Sequence, residues 1–168
     1  MSAPAPAGYD VFVRGDPAMP AADGVLAAWR AAGMPDDVAR ERIDQVVAVA
    51  TSVAGEVAGV VTAVAAKDTT LGERVWHLRV LVMPAHRRHG VRTGLLPPIA
   101  TAAIEHLEGR FVAGTDTSVK GVLYAFEHPR LARYFDATVN TFTAAVFCGL
   151  DPSGQPRFVR WFPGALLD

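Results

Sequence analysis

Between residues 46 and 66 the chain is mostly apolar, and Ala54-Gly55-Glu56 carries the one charge of the run. A membrane-spanning helix needs about 20 apolar residues, so length alone would allow one. Glu56 and the turn signal of Gly55 stand at its centre, however, and its flanks are rich in β-branched Val and Thr. The pattern therefore predicts two buried strands, about 45–53 and 57–67, joined by a tight turn. Tyr9 to Val13 alternates between glycine-bearing segments and reads as a first short strand. Val25, Leu26 and Trp29 have helical spacing, so a helix is predicted from about 24 to 32, capped by Asp23 and closed by Gly33. Pro35 suits the start of a second helix, Asp36 to Asp44, with acidic residues in its first turn.

After a loop at 68–72, a fourth strand is predicted from about Arg74 to Met83, stopped by Pro84. A compact polar segment, Ala85 to Arg92, leads into a helix carried by Leu96, Ile99, Ala103, Ile104 and Leu107 and closed at Gly109. Pro97-Pro98 lies inside that pattern and predicts a bend or an irregular start. Arg110 to Asp116 is expected to be a fifth strand. Ser118 to Phe126 and Pro129 to Phe135 are expected to be helices. A closing hairpin pairs 141–148 with 157–162 across a Gly- and Pro-rich turn.

Composition narrows the class. The chain has 168 residues, 51% hydrophobic and 20% charged, which suits one globular domain. Residues 1–8 are expected to form a flexible leader and not a signal peptide, because they lack a basic start and an apolar core. Residues 9–168 are expected to form the domain. Sixteen basic side chains against seventeen acidic ones give a net charge of −1, which argues against coating nucleic acid or an anionic membrane. A single cysteine, Cys148, excludes an internal disulfide framework and a cysteine-based zinc site. It reads as a packed thiol in a reducing, cytoplasmic setting, and no metal is expected.

Charge is nevertheless concentrated at one place. His86-Arg87-Arg88-His89-Gly90-Val91-Arg92 holds three arginines and two histidines between a strand and a helix. A helix start presents unsatisfied backbone N–H groups and the positive end of the helix dipole, and guanidinium groups add to both. The segment suits a phosphate or pyrophosphate. The chain has no Gly-rich loop ending in Lys-Ser/Thr and no G-x-G-x-x-G after a strand, so neither of those nucleotide sites is expected.

The stretch Val82-Met83-Pro84-Ala85-His86-Arg87-Arg88-His89-Gly90-Val91-Arg92, followed by Thr93-Gly94-Leu95-Leu96, resembles the acyl-CoA loop of the GNAT superfamily of N-acetyltransferases. Val82, Pro84, Arg87, Gly90 and Leu95-Leu96 match the pattern V-x-P-x-x-R/Q-x-x-G-x-G/A and the residues after it. The order of elements from Tyr9 to Phe162 is also similar to that family's. The resemblance implies an α+β GNAT fold, a mixed central sheet of about seven strands flanked by about four helices. It also implies that the backbone from Arg88 through His89, Gly90, Val91 and Arg92 to Thr93 cradles the CoA pyrophosphate, with Arg87 adding charge. Leu81 and Val82 would pair with the pantetheine arm, and the Val82 N–H would polarise the acyl carbonyl. Arg92 stands where the family carries Gly or Ala. Either it binds the 3′-phosphate or pyrophosphate, or it occupies space that the phosphates need.

Acyl transfer to an amine needs a base for the amine, a donor for the oxyanion and an acid for the departing thiolate. By resemblance the acid is Tyr134, with Tyr124 as its rival, and the base is His77 or Glu73, with Asp116 a weaker candidate. The acceptor side would draw on the acidic second helix and on Trp29, Trp161 and Phe162, which equally suit a core. The expected co-substrate is acetyl-CoA or another acyl-CoA. The expected acceptor is a small-molecule amine, with no nucleic acid or membrane partner and a homodimer left open. A non-catalytic CoA-binding or interaction module and an enzyme using a different acyl-CoA are the alternatives.

Overall fold

The computed structural model describes residues 6–87, 94–126 and 138–167. Among these, eight strands and three α-helices follow one another as β1 (Tyr9–Val13), α1 (Ala22–Ala31), α2 (Asp36–Arg42), β2 (Val46–Ser52), β3 (Val57–Lys67), β4 (Arg74–Val82), α3 (Leu96–Val112), β5 (Gly121–Ala125), β6 (Val139–Asn140), β7 (Ala145–Leu150) and β8 (Pro156–Trp161). The strands form one sheet in the order β1-β2-β3-β4-β5-β8-β7-β6. β4 and β5 run parallel, whereas β1–β2, β2–β3, β5–β8, β7–β8 and β6–β7 are antiparallel. The expected α+β class with a mixed sheet is therefore correct, with one strand more than anticipated. The chain divides into two compact units, Met1–Ala63 with Arg79–His106, and Val64–Leu78 with Leu107–Asp168.

In the first unit the predicted hairpin is present. Val49 pairs with Val60 and Ala50 with Gly59, and β2 is buried through residue 51. Two-sided burial explains why this stretch reads as a continuous apolar run instead of an alternating one. Val25 and Trp29 of α1 and Ala39 of α2 pack against Val46, Val49, Val60 and Met83. Asp23 was expected to cap α1, but it lies inside the first turn; Ala21 holds the cap position without a side-chain bond. There it still faces the positive end of the dipole.

The start of α3 rests on Gly59. A Cβ added there would lie 3.3 Å from Ile99 Cδ1 and 3.3 Å from Leu95 Cδ2, so the missing side chain lets the helix sit close on β3. The proline pair falls at the start of a helix and not within one. α3 begins at Leu96, which puts Pro97 and Pro98 in the first turn, where backbone N–H groups have no intrahelical partner anyway. The Ile99 N–H makes the first i−4 bond, to Leu95 O at 3.2 Å.

In the second unit two assignments are corrected. Arg110 to Val112 continue α3 instead of starting a strand, and Ser118 to Phe126 contain β5 instead of a helix. Gly109 does not end the helix because Phe111 still packs inward, against Phe162 at 5.4 Å between ring centroids. The stop falls at Gly114, whose φ of +75° suits a residue without a Cβ. Val122 and Leu123 are then buried in β5 between β4 and β8. A short run whose first three residues are all buried has no period to tell a strand from a helix.

Candidate functional site

β4 ends at Val82, and the chain turns at once. Met83 N–H bonds Ala58 O at 2.9 Å, which anchors the strand end to β3. Pro84–His86 then form one 3-10 turn, closed by His86 N–H to Met83 O at 2.9 Å. Pro84 takes the first helical position, where its lack of an N–H costs nothing. Leu81 and Val82 are half-buried and Met83 is buried.

Two side chains fasten this turn. Arg87 Nε donates to Val82 O at 2.7 Å, a charge-assisted bond that closes the turn back onto the strand. His86 Nδ1 lies 3.1 Å from the Tyr9 hydroxyl, and the two rings meet edge to face at 5.7 Å and 82°. The structure thus brings Leu81, Val82 and Arg87 together in the first unit. Arg88, His89, Gly90, Val91, Arg92 and Thr93 lie outside the described residues, as does Tyr134. The Tyr9–His86 contact was not anticipated. Its residues stand 77 positions apart, and neither periodicity nor motif spacing signals such a pair.

Glu73 and His77 belong to the second unit. Glu73 is buried at the end of the β3–β4 loop, where its carbonyl accepts the Asp68 N–H at 2.9 Å. His77 is half-buried and in register with Leu123, on the sheet face that carries the buried Val75, Leu123 and Val159. The two candidate bases therefore differ in setting: one carboxyl is enclosed in a loop, and one imidazole lies beside the core.

Tyr124 is held in a buried polar network. Its hydroxyl is 2.5 Å from Thr143 Oγ1 and accepts from Asn140 Nδ2 at 2.9 Å. Burial pushes its pKa up to about 12, against the smaller opposing effect of those hydrogen bonds. With its hydroxyl engaged by both Thr143 and Asn140, Tyr124 fits a structural role. Asp116 bonds Ser118 and lies 3.7 Å from Arg110. Two nearly buried ion pairs complete this unit, Arg157–Asp68 at 2.5 Å and Arg160–Glu108 at 2.6 Å.

On the expected acceptor side, Trp29 and Phe162 are core residues at 1% and 3% exposure, and Trp161 is half-buried. Of the acidic α2 residues, Asp36 receives Arg30 Nε at 2.6 Å. That hydrogen bond holds its carboxyl below the usual range. Among the described residues, no group of three His, Cys, Asp or Glu side chains is placed to hold a metal ion. No described helix is long and apolar enough to cross a membrane.

No protein-family model matches the chain, and no curated protein sequence does. Solved structures do. A GNAT-family acetyltransferase from Streptococcus pneumoniae aligns over 91% of this chain and 99% of its own, with a TM-score of 0.55 and 11% identity. The ribosomal-protein-S5-alanine acetyltransferase from Vibrio fischeri covers 95% and 96%, with a TM-score of 0.55 and 12% identity. A mutant AtaT toxin, bound to the C-terminus of the antitoxin AtaR and to acetyl-CoA, covers 92% and 93%, with a TM-score of 0.52 and 9% identity. At such identities the likeness is one of fold, and the fold is that of GNAT acetyltransferases.

Proposed function

We propose that the chain is an acyl-CoA-dependent N-acyltransferase that moves an acyl group, acetyl first of all, onto an amine of a small molecule. Residues 9–168 act as the transferase domain, in a cytoplasmic setting. The observation that carries the reading is the layout of the first unit. The end of β4, the fastened turn with Arg87 and the start of α3 on Gly59 follow in the order in which an acyl-CoA loop needs them. They do so within the GNAT fold.

The chemistry is direct transfer. The deprotonated amine attacks the thioester carbonyl, the Val82 N–H stabilises the oxyanion, and collapse expels the CoA thiolate, which takes a proton. Arg87 and the backbone from Arg88 to Thr93 hold the phosphates, with Arg92 as a further cation. Tyr134 supplies the proton. His77 or Glu73 accepts the proton from the amine, directly or through water. The proton count closes for the neutral amine: its nitrogen gives one proton to the base as the intermediate collapses, and the thiolate takes one from the acid. Binding energy from the nucleotide end holds the thioester in place for attack.

The test is free-thiol release from acetyl-CoA across a panel of small amines. Release that depends on an amine and saturates supports the reading. Binding of CoA without release under any amine supports a CoA-binding module instead. Release only with a longer acyl-CoA supports the alternative co-substrate.

A further inference from the structure

The Tyr9–His86 contact has no place in the reaction just described, yet it touches the turn that carries Arg87. Tyr9 opens β1, His86 closes the 3-10 turn after β4, and both are half-buried. The bond between them adds a side-chain tie to the backbone bonds of the turn. The edge-to-face ring contact fixes the imidazole plane as well as its distance. Arg87, the next residue, has its Nε committed to Val82 O. The direction of its guanidinium therefore follows from the turn, and the turn is held from outside by Tyr9.

We infer that Tyr9 and His86 are positioning residues for phosphate recognition: the Tyr9 hydroxyl orients His86, and His86 holds the turn that aims Arg87 at the phosphates of the acyl-CoA. The inference rests on the proposed acyl-CoA site. The chemistry is that of an outer residue orienting an inner one: a hydrogen-bond partner on one ring nitrogen holds the plane of a histidine and so steadies the turn that carries it. The hydroxyl is the active part, so Tyr9→Phe, which keeps the ring, is the sharpest variant.

The experiment compares acetyl-CoA with S-acetylpantetheine, which carries the thioester arm but no pyrophosphate or nucleotide. Binding is measured by calorimetry on the full chain, wild type, Tyr9→Phe and His86→Ala, with each variant's melting temperature recorded. In Tyr9→Phe the Kd for acetyl-CoA is expected to rise about three- to tenfold, the range one hydrogen bond carries. The Kd for acetylpantetheine stays unchanged. A purely structural role would weaken both ligands together, and that result overturns the inference, as does no change for either. Should Tyr9→Phe lose its fold, His86→Gln, which puts a hydrogen-bonding amide in place of the ring, is read in the same way against His86→Ala. Rescue of acetyl-CoA affinity by Gln supports the inference and its absence overturns it. Wild-type protein that binds no CoA overturns the proposed function itself, and that outcome is visible before any variant is made.

Discussion

The polar groups of the two compact units are used in opposite ways. In the second unit they are largely enclosed and paired: Asp68 with Arg157, Glu108 with Arg160, Tyr124 with Thr143 and Asn140. In the first unit they lie at the surface end of a strand, with Arg87 exposed and His86 half-buried. Their bonds shape a turn and cover no core. A buried pair left half-broken costs far more than an exposed one, so the second unit's polar residues should govern stability. An exposed cation at a strand–helix junction contributes little to folding and is well placed for an anion, so those of the first unit should govern binding. The contrast ties recognition to an exposed, fastened turn and stability to enclosed polar pairs.

The largest expected effect tests the stability half. Arg157→Ala leaves Asp68 buried without its cation, because the two side chains are only 12% and 10% exposed. Unfolding by denaturant should show a loss of about 3–5 kcal/mol. Arg157→Met combined with Asp68→Leu should recover most of it. If the single variant were as stable as wild type, the pair would not be a stability element.

Tyr124→Phe comes next, at about 1–3 kcal/mol, since it leaves Asn140 and Thr143 without their shared partner. It should also change the alkaline limb. With a folded pKa of about 12 above the usual value near 10, the unfolded chain releases its proton first. Stability contributed by this group is therefore intact below about pH 10 and lost progressively toward pH 12. The Phe variant should show a shallower decline in denaturation midpoint over that interval, and an unchanged slope would count against the buried network.

Arg87→Ala probes the other half. Acetyl-CoA affinity should fall about tenfold, the scale of a charge-assisted hydrogen bond, while folding stability moves by less than about 0.5 kcal/mol. A matching loss of stability would erase the contrast between the units. The smallest effect belongs to Arg30 and Asp36, whose pair is exposed on both sides. Asp36→Asn should leave the melting temperature within error at neutral pH. Because the ion pair lowers the Asp36 carboxyl, any contribution it makes is lost only as pH falls through the carboxylate range.

The strands β1 to β4 were legible because each is bounded by its own punctuation: Gly55 between β2 and β3, Gly72 before β4, Pro84 after it. The strand–helix junction was legible through Pro84, Arg87 and the pattern that opens α3. From Gly109 to Phe126 the reading exchanged helix and strand. There the deciding fact is tertiary: Phe111 meets Phe162 and Val122 sits inside a sheet, and no local signal carries either. The same reason hides the Tyr9–His86 tie and the Arg157–Asp68 pair, 77 and 89 residues apart. Charge at a junction shows in sequence order, whereas a partner from across the fold does not.

The central claim is that the first unit's junction binds an acyl-CoA through its phosphates. Calorimetric titration of the full chain with acetyl-CoA, beside Arg87→Ala, tests it most directly. Saturable one-to-one binding to wild type, weakened about tenfold in a variant of unchanged melting temperature, is the predicted result. Absence of binding at high micromolar acetyl-CoA, or equal binding by both proteins, would contradict it.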